Sequence, residues 1–258
     1  MTSENSTNQY QWHPENIING SQLTKGYVCL VINRKVTIPK QIAVNLWENA
    51  EYRCTVDGGT NRWRDFLLTH EIGNQLRLPD FITGDFDSIT EETSNYFNNS
   101  SIQRIHTPDQ NYTDFTKAIH FLEPLMQTKG INDIIVFHDT SGRLDHIMAN
   151  IQTLFKAKSS LNVYLLGGSS MTWLLRKGQH TIHIPKELVE NKRWCALLPV
   201  GGRAIVTSTG LKWNLNLSVL EFGDGIVSSS NTYSCDTVHI ENTNSILWSM
   251  GVFNFRDD

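Results

Sequence analysis

No apolar run in the 258-residue chain approaches the ~18 residues that a membrane-spanning helix needs. Cysteine is sparse and unpatterned: Cys29, Cys54, Cys195 and Cys235 are widely scattered and show no C-x-x-C spacing. That argues against a zinc site or a disulfide framework and fits reduced thiols in a cytoplasmic protein. Basic residues are not in surplus, with 22 Lys and Arg against 26 Asp and Glu and a formal net charge of -4. Broad affinity for nucleic acid or an anionic membrane surface is therefore not expected, although a local basic pocket remains compatible. The chain has no G-x-x-x-x-G-K-[ST], which excludes a P-loop kinase, and no G-x-G-x-x-G after its first apolar run, which argues against the usual dinucleotide site. Residues 1–20 are rich in Asn, Ser, Thr and Gln and lack both an apolar core and arginine. They are expected to form a flexible tail, not a signal peptide or a mitochondrial presequence. There is no internal repeat.

What is present is ample core material, 39% hydrophobic and 10% aromatic residues. Apolar runs at Tyr27–Asn33, Tyr52–Val56, Phe81–Thr83, Ile102–Ile105, Asp133–Phe137 and Asn162–Leu166 read as strands. Helix-spaced segments follow most of them, over 38–50, around Trp63, Phe66 and Leu67, over 90–97, from Thr113 onward, and from Leu144 to Phe155. Pro124 is expected to kink or end the fourth helical segment. Strands alternating with helices predict a mostly parallel sheet flanked by helices over 21–168. The pattern changes at Gly167-Gly168-Ser169. Beyond it, short strands at Thr181–Ile184, Cys195–Leu198, Ala204–Val206, Leu215–Phe222, Ile226–Val227, Thr237–Ile240 and Ser245–Trp248 predict a C-terminal all-β sandwich over 169–258.

In a parallel sheet every strand-to-helix loop emerges on one edge, at the carboxyl ends of the strands, where ligands bind. That edge collects Asp57-Gly58-Gly59, Gly84-Asp85-Phe86-Asp87, Asp109-Gln110 with Asp114, and the segment from Asp139 to His146. Ser88 and Glu91 fit an S-x-x-E capping box, so Asp85 and Asp87 are also explained as neighbours of a helix start near Thr90. Each aspartate alone is accounted for as a turn or cap residue. So many carboxylates on one cleft, however, repel one another unless positive charge intervenes, and Mg²⁺ with substrate phosphates is the economical occupant. Gly58 and Gly59 sit where backbone N–H groups can face a phosphate, although an ordinary tight turn explains them equally. Arg143 offers a bidentate phosphate contact or is a surface arginine. His146, in the first turn of its helix, either caps or pairs with Asp145.

Taken in order, Val56-Asp57-Gly58-Gly59-Thr60-Asn61-Arg62, Thr83-Gly84-Asp85-Phe86-Asp87-Ser88, Thr107–Lys117, Gly142-Arg143-Leu144-Asp145-His146, Thr209–Leu215 and Ser228–Tyr233 resemble the motifs of the eukaryotic thiamine pyrophosphokinase family. The resemblance runs from about Tyr27 to the end of the chain. Ser141 departs from it, standing where the family often has the first of two glycines before the arginine. The resemblance implies transfer of a pyrophosphoryl group from ATP, as co-substrate, to the hydroxyl of thiamine, with Mg²⁺, and a homodimer with thiamine bound at the subunit interface. By that resemblance Asp85, Asp87 and Asp114 hold Mg²⁺ and Gln110 orients them. Asn33, Asp57, Gly58, Gly59 and Asn61 line the nucleotide side, and Arg143 binds phosphate. Asp145 orients donors or takes up the alcohol proton, although a carboxylate with a reference pKa of about 3.9 is a weak base for an alcohol. Trp213 is the expected platform for the thiazolium cation, although by itself it reads as a half-buried strand tryptophan. Ser229, Ser230 and Asn231 are expected to hydrogen-bond the aminopyrimidine, although Ser-Ser-Asn is also ordinary turn chemistry. The rival readings are an aspartate-dependent phosphohydrolase, whose downstream lysine and second acidic motif are not placed convincingly, and a non-catalytic nucleotide- or thiamine-binding protein.

Overall fold

The computed structural model describes residues 8–20, 23, 26–73 and 75–253. Its elements begin with β1 (Gln9–Trp12), α1 (Glu15–Ile18), β2 (Val28–Val31), α2 (Lys40–Glu48), β3 (Tyr52–Val56), α3 (Gly59–Thr69), β4 (Phe81–Gly84) and α4 (Glu91–Tyr96). They continue with β5 (Gln103–His106), α5 (Asp114–Lys129), β6 (Asp133–Phe137), α6 (Leu144–Lys156) and β7 (Asn162–Gly167). The remainder comprises β8 (Ser170–Leu175), β9 (Gly178–His183), α7 (Lys186–Glu190), β10 (Trp194–Leu198) and β11 (Ala204–Thr209). Last come β12 (Ser218–Leu220), β13 (Ser228–Thr232), β14 (Thr237–Asn242) and β15 (Ile246–Gly251). Two units divide the described chain: Asn19–Ser169 with Phe253, and the residues up to Ile18 with Ser170–Val252.

In the α/β unit, β7, β6, β2, β3, β4 and β5 pair in that order, each with a parallel neighbour. All four residues of β2 are buried, as continuous apolar strands covered on both faces must be. Burying each such aliphatic side chain contributes about 1.5–3 kcal/mol. Trp47 on α2 and Trp63 on α3 are fully buried, with ring centroids 4.2 Å apart, and Trp63 also lies 6.0 Å from Phe137 of β6. The order reverses at β2: β3 to β5 extend to one side of it, while β6 and β7 extend to the other.

The β unit holds a five-stranded sheet in the order β1, β9, β14, β11, β12, and an antiparallel set in the order β13, β10, β15, β8. The alternating burial of β14 places one face inward. Trp12 of β1, Trp173 of β8 and Trp248 of β15 form a tryptophan chain between the layers, with centroid separations of 5.6 and 6.1 Å.

Four expectations are corrected. Part of the segment expected as a flexible tail is strand β1, paired in parallel with β9, because Trp12 is buried and its Nε1–H donates to His180 Nδ1 at 3.1 Å. Residues 1–7 lie outside the described residues. Helix α5 runs through Pro124 to Lys129 and ends on Gly130 in the left-handed conformation (φ 68°). Thr90, not Ser88, caps α4, its hydroxyl accepting from the Thr93 N–H at 3.2 Å. In the β unit, β8 and α7 were not anticipated, the strand expected over Leu215–Phe222 shrinks to Ser218–Leu220, and Ser228–Thr232 forms β13.

Candidate functional site

The site is built at the carboxyl edge of the parallel sheet. β3 ends at Val56, and Asp57 follows with φ 44°, its N–H donating to Thr83 O of the neighbouring strand β4 at 2.7 Å. A left-handed conformation is uncommon for a non-glycine residue but tolerated by aspartate. It leaves the Asp57 carboxylate buried beside the loop that leaves β4. In that loop Phe86 also has a positive φ, 68°, and the side chains on either side of it converge. One carboxylate oxygen each from Asp57, Asp85 and Asp87 lies within 4.8 Å of the other two. Asp57 is buried, Asp85 half-buried and Asp87 exposed.

Donors hold this cluster from its rim. Gln110 Nε2 donates to Asp85 Oδ2 at 3.3 Å, Ser88 Oγ donates to Asp87 Oδ1 at 2.9 Å, and Ser88 N–H reaches Asp57 Oδ1 at 3.4 Å. Burial raises the Asp85 pKa, but the Asp87 N–H, Gln110 and the Lys117 charge outweigh it, so the net shift is downward. Asp114 shifts the other way. Burial pushes its carboxyl up, and the neighbouring charges of Asp85 and Asp57 add to that against the pull of Lys117. Lys117 Nζ bonds Asp114 Oδ1 at 2.8 Å and the Thr107 carbonyl at 2.6 Å, although the lysine is itself buried.

These groups face one cleft of about 380 Å³, whose walls include Asn33, Asp57, Asp85, Gln110, Asp114 and Lys117. Asp114, expected as the third ligand, stands in its wall but is ion-paired to Lys117; the third carboxylate of the close cluster is Asp57. Gly58 and Gly59 are buried against β2. A Cβ on Gly59 would meet the Val31 carbonyl at 2.2 Å, so close backbone packing requires glycine there, whereas one on Gly58 would meet the Asn33 side chain, Nδ2 at 2.3 Å, and would displace it. Asn61 braces the acidic loop, its Nδ2 donating to Ser88 O at 2.7 Å and its Oδ1 accepting from Thr90 N–H at 3.1 Å.

Arg143 and Asp145 stand outside the walls, exposed at the start of α6 and paired with each other, with Nε to Oδ1 at 3.1 Å. The guanidinium draws the Asp145 pKa down to about 2, which leaves that carboxylate a poor proton acceptor. His146 does line the cleft. So does Arg34, which the sequence reading missed; its only signal was its place just past Asn33, at the end of the central strand. Lys117 was visible within a motif but without a role.

In the β unit, Trp213 is 55% exposed, and Lys212 Nζ sits 4.4 Å from its ring centroid. One face of the indole thus already carries a cation, which leaves the opposite face for a ligand. Asn231 is buried and committed to the Trp213 backbone: its Oδ1 accepts from Trp213 N–H at 3.2 Å and its Nδ2 donates to Trp213 O at 2.9 Å. Its amide therefore positions the tryptophan. Ser229 and Ser230 are exposed on β13, Ser230 with φ 57°. A second cleft, about 320 Å³, lies on the five-stranded sheet of this unit. Its buried His180 has both ring nitrogens engaged, by Trp12 Nε1 at 3.1 Å and by Arg176 O at 2.7 Å.

A helix-flanked parallel sheet with an acid-lined cleft at its carboxyl edge, followed by a β-sandwich, defines a two-part α/β and all-β protein. A family model described as thiamin pyrophosphokinase, catalytic domain, matches residues 43–165, and one described as thiamin pyrophosphokinase, vitamin B1 binding domain, matches residues 179–247. The chain is 34% identical to thiamine pyrophosphokinase 1 of Oryza sativa subsp. japonica over 239 residues, 88% of each chain. It belongs to the thiamin pyrophosphokinase family, a family of transferases. Thiamin pyrophosphokinase 1 of Caenorhabditis elegans is 27% identical, with 88% of this chain and 90% of the relative covered. The structure of thiamin pyrophosphokinase from Candida albicans superimposes with a TM-score of 0.79 at 26% identity, covering 98% of this chain and 95% of that one.

Proposed function

We propose that the protein transfers the pyrophosphoryl group of ATP to the hydroxyl of thiamine, giving thiamine diphosphate and AMP. Beside the family membership, the observation that carries this reading is the convergence of Asp57, Asp85 and Asp87 at the carboxyl edge of the sheet. Three hard oxygen donors within 4.8 Å suit Mg²⁺. The proposed ligands are Asp57, Asp85 and Asp87, and the cation would neutralise charge on the polyphosphate when bound. The chain's own residues do the rest by positioning, which dominates reactions of this type. Gln110 and Ser88 hold the carboxylates in place, and Lys117 adds positive charge to the cleft wall while fixing Asp114. Asn33 lines the nucleotide side, and Gly58, Gly59 and Asn61 shape that edge from behind.

Trp213 offers the thiazolium the face opposite Lys212, with Asn231 holding the tryptophan backbone and Ser229 and Ser230 exposed beside Asn231 on β13. The aspartates and Trp213 belong to different units, so the reading includes a homodimer that brings an acid-lined cleft and an aromatic platform to one site. Leu144, 70% exposed, and Met148 on α6 support it, as apolar surface that a second copy would cover. The proposed setting is the cytoplasm, supported by four free cysteines, three of them buried. Among the described residues no helix is long and apolar enough to cross a membrane. No nucleic-acid or membrane partner is proposed.

The test is incubation with Mg²⁺, ATP and thiamine. Equal amounts of AMP and thiamine diphosphate are expected; ADP, or phosphate release independent of thiamine, would overturn the reading.

A further inference from the structure

Because the strand order reverses at β2, the loops leaving β2 and β6 part from each other and open a crevice between them, the place where open α/β sheets bind ligands. One side chain spans that crevice. Arg34 donates from Nη1 to the Ser141 carbonyl at 3.2 Å and from Nη2 to the Arg143 carbonyl at 3.1 Å, and it lines the acid-bearing cleft. Between those two carbonyls Gly142 takes φ 84°, and a Cβ there would lie 3.2 Å from Arg34 Nη1. Arg143 is the N-cap residue of α6, and its carbonyl accepts both Arg34 Nη2 and the first bond of the helix, from Ile147 N–H at 3.2 Å, so Arg34 ties the start of α6 to the end of the central strand. The preceding residue, Asn33, reaches the opposite way, its Oδ1 accepting from Arg62 Nε on α3 at 3.0 Å. The Asn33-Arg34 turn therefore ties α3 on one side and the Ser141–Arg143 loop on the other to the end of the central strand.

We propose that Arg34 is a positioning residue for the transfer reaction: it straps the Ser141–Arg143 loop across the crevice and so fixes the start of α6, whose His146 lines the cleft that receives the nucleotide phosphates. This rests on the function proposed above for the cleft. The strap suits a guanidinium, because its planar fork presents separate nitrogens, Nη1 and Nη2, to the two carbonyls, whereas a lysine must reach both from one nitrogen on a flexible stem. Its partners are main-chain carbonyls, so the loop's side chains are not required for it.

The test compares the full-length wild-type protein with Arg34→Met and Arg34→Lys by native-state hydrogen exchange and steady-state kinetics. Exchange at the amides of residues 141–147 should accelerate at least about tenfold in Arg34→Met, the loss expected for one charge-assisted hydrogen bond. Amides of β3 and β14 should be unchanged. The KM for ATP should rise by about tenfold or more with the KM for thiamine unaltered, and Arg34→Lys should fall between. Combined with Gly142→Ala, Arg34→Met should add less than the sum of the two single effects, since both act on one loop. Unaltered exchange over 141–147, equal rises in both KM values, or strict additivity would overturn the proposal. If wild-type protein forms no thiamine diphosphate, the functional reading fails, while the exchange data still decide whether the strap exists.

Discussion

The two units treat their polar side chains in opposite ways. The β unit commits its buried amides and imidazole to its own backbone and neighbours. Asn242 Nδ2 alone donates to Leu175 O, Arg176 O and Asn244 O, and Asn231 clamps Trp213. Among the side chains it leaves outside are large apolar ones, with Trp213 55% and Leu217 72% exposed. The α/β unit instead gathers Asp57, Asp85 and Asp87 within 4.8 Å of one another and places Asp114 nearby, so its unbalanced charge lies at the strand ends. One unit is electrostatically open and suited to a cation and phosphates. The other has buried polar groups such as Asn231 and His180 paired and offers an aromatic face to an organic cation.

The comparison breaks first at the acidic cluster. Asp87→Asn should lower turnover by about 10³-fold, the scale of losing one preorganised electrostatic contact. Its melting temperature should stay the same or rise, because a repulsion is removed from an exposed site. An active Asp87→Asn protein would remove the cation-holding role. A pH titration of stability then tests what the units share, since each buries one neutral histidine. Burial pushes His138 and His180 down to about 4, with the Arg34 charge adding at His138. Both are neutral in the fold, while the unfolded chain takes up protons below about 6.5. Stability should therefore be constant above pH 6.5 and fall as pH drops toward 4, by up to about 3 kcal/mol for each histidine. Chemical denaturation at stepped pH checks it, and His180→Gln should remove part of the dependence.

Two smaller effects belong to the β unit. Asn231→Ala should destabilise it by about 1–3 kcal/mol, because Trp213 N–H and C=O lose their buried partners, and should weaken thiamine binding with no effect on ATP. Trp213→Ala should raise the KM for thiamine about tenfold, in line with a cation–π contact of roughly 0.5–2 kcal/mol, with stability nearly unchanged at so exposed a position. Equal effects on ATP and thiamine would dissolve the division of labour between the units.

Much of the α/β fold was legible because its strands are continuous apolar runs: β3 and β6 fall where Tyr52–Val56 and Asp133–Phe137 predict them. The β unit was less legible. In β8, Ser170 and Thr172 break the apolar pattern just beyond Gly167-Gly168-Ser169, and β1 buries only Trp12 of its four residues, so neither stands out from a loop. Pro124 does not end α5, because buried residues on both sides of it, Leu122 and Met126 among them, hold the helix against the core at the cost of one hydrogen bond. In the site, loop aspartates could be assigned to one edge from topology, but which three converge depends on the left-handed turns at Asp57 and Phe86, which no spacing reveals. Arg34 was invisible for another reason. Its partners are carbonyls 107 and 109 residues away, and carbonyls carry no sequence signature.

The most direct measurement follows the terminal phosphate of ATP. With ATP labelled at the γ position, Mg²⁺ and thiamine, the wild-type protein should place the label in thiamine diphosphate, mole for mole with AMP. Asp57→Asn should do so about 10³-fold more slowly. Label recovered as free phosphate, or an Asp57→Asn protein as fast as wild type, would contradict pyrophosphoryl transfer at the Asp57, Asp85 and Asp87 cluster.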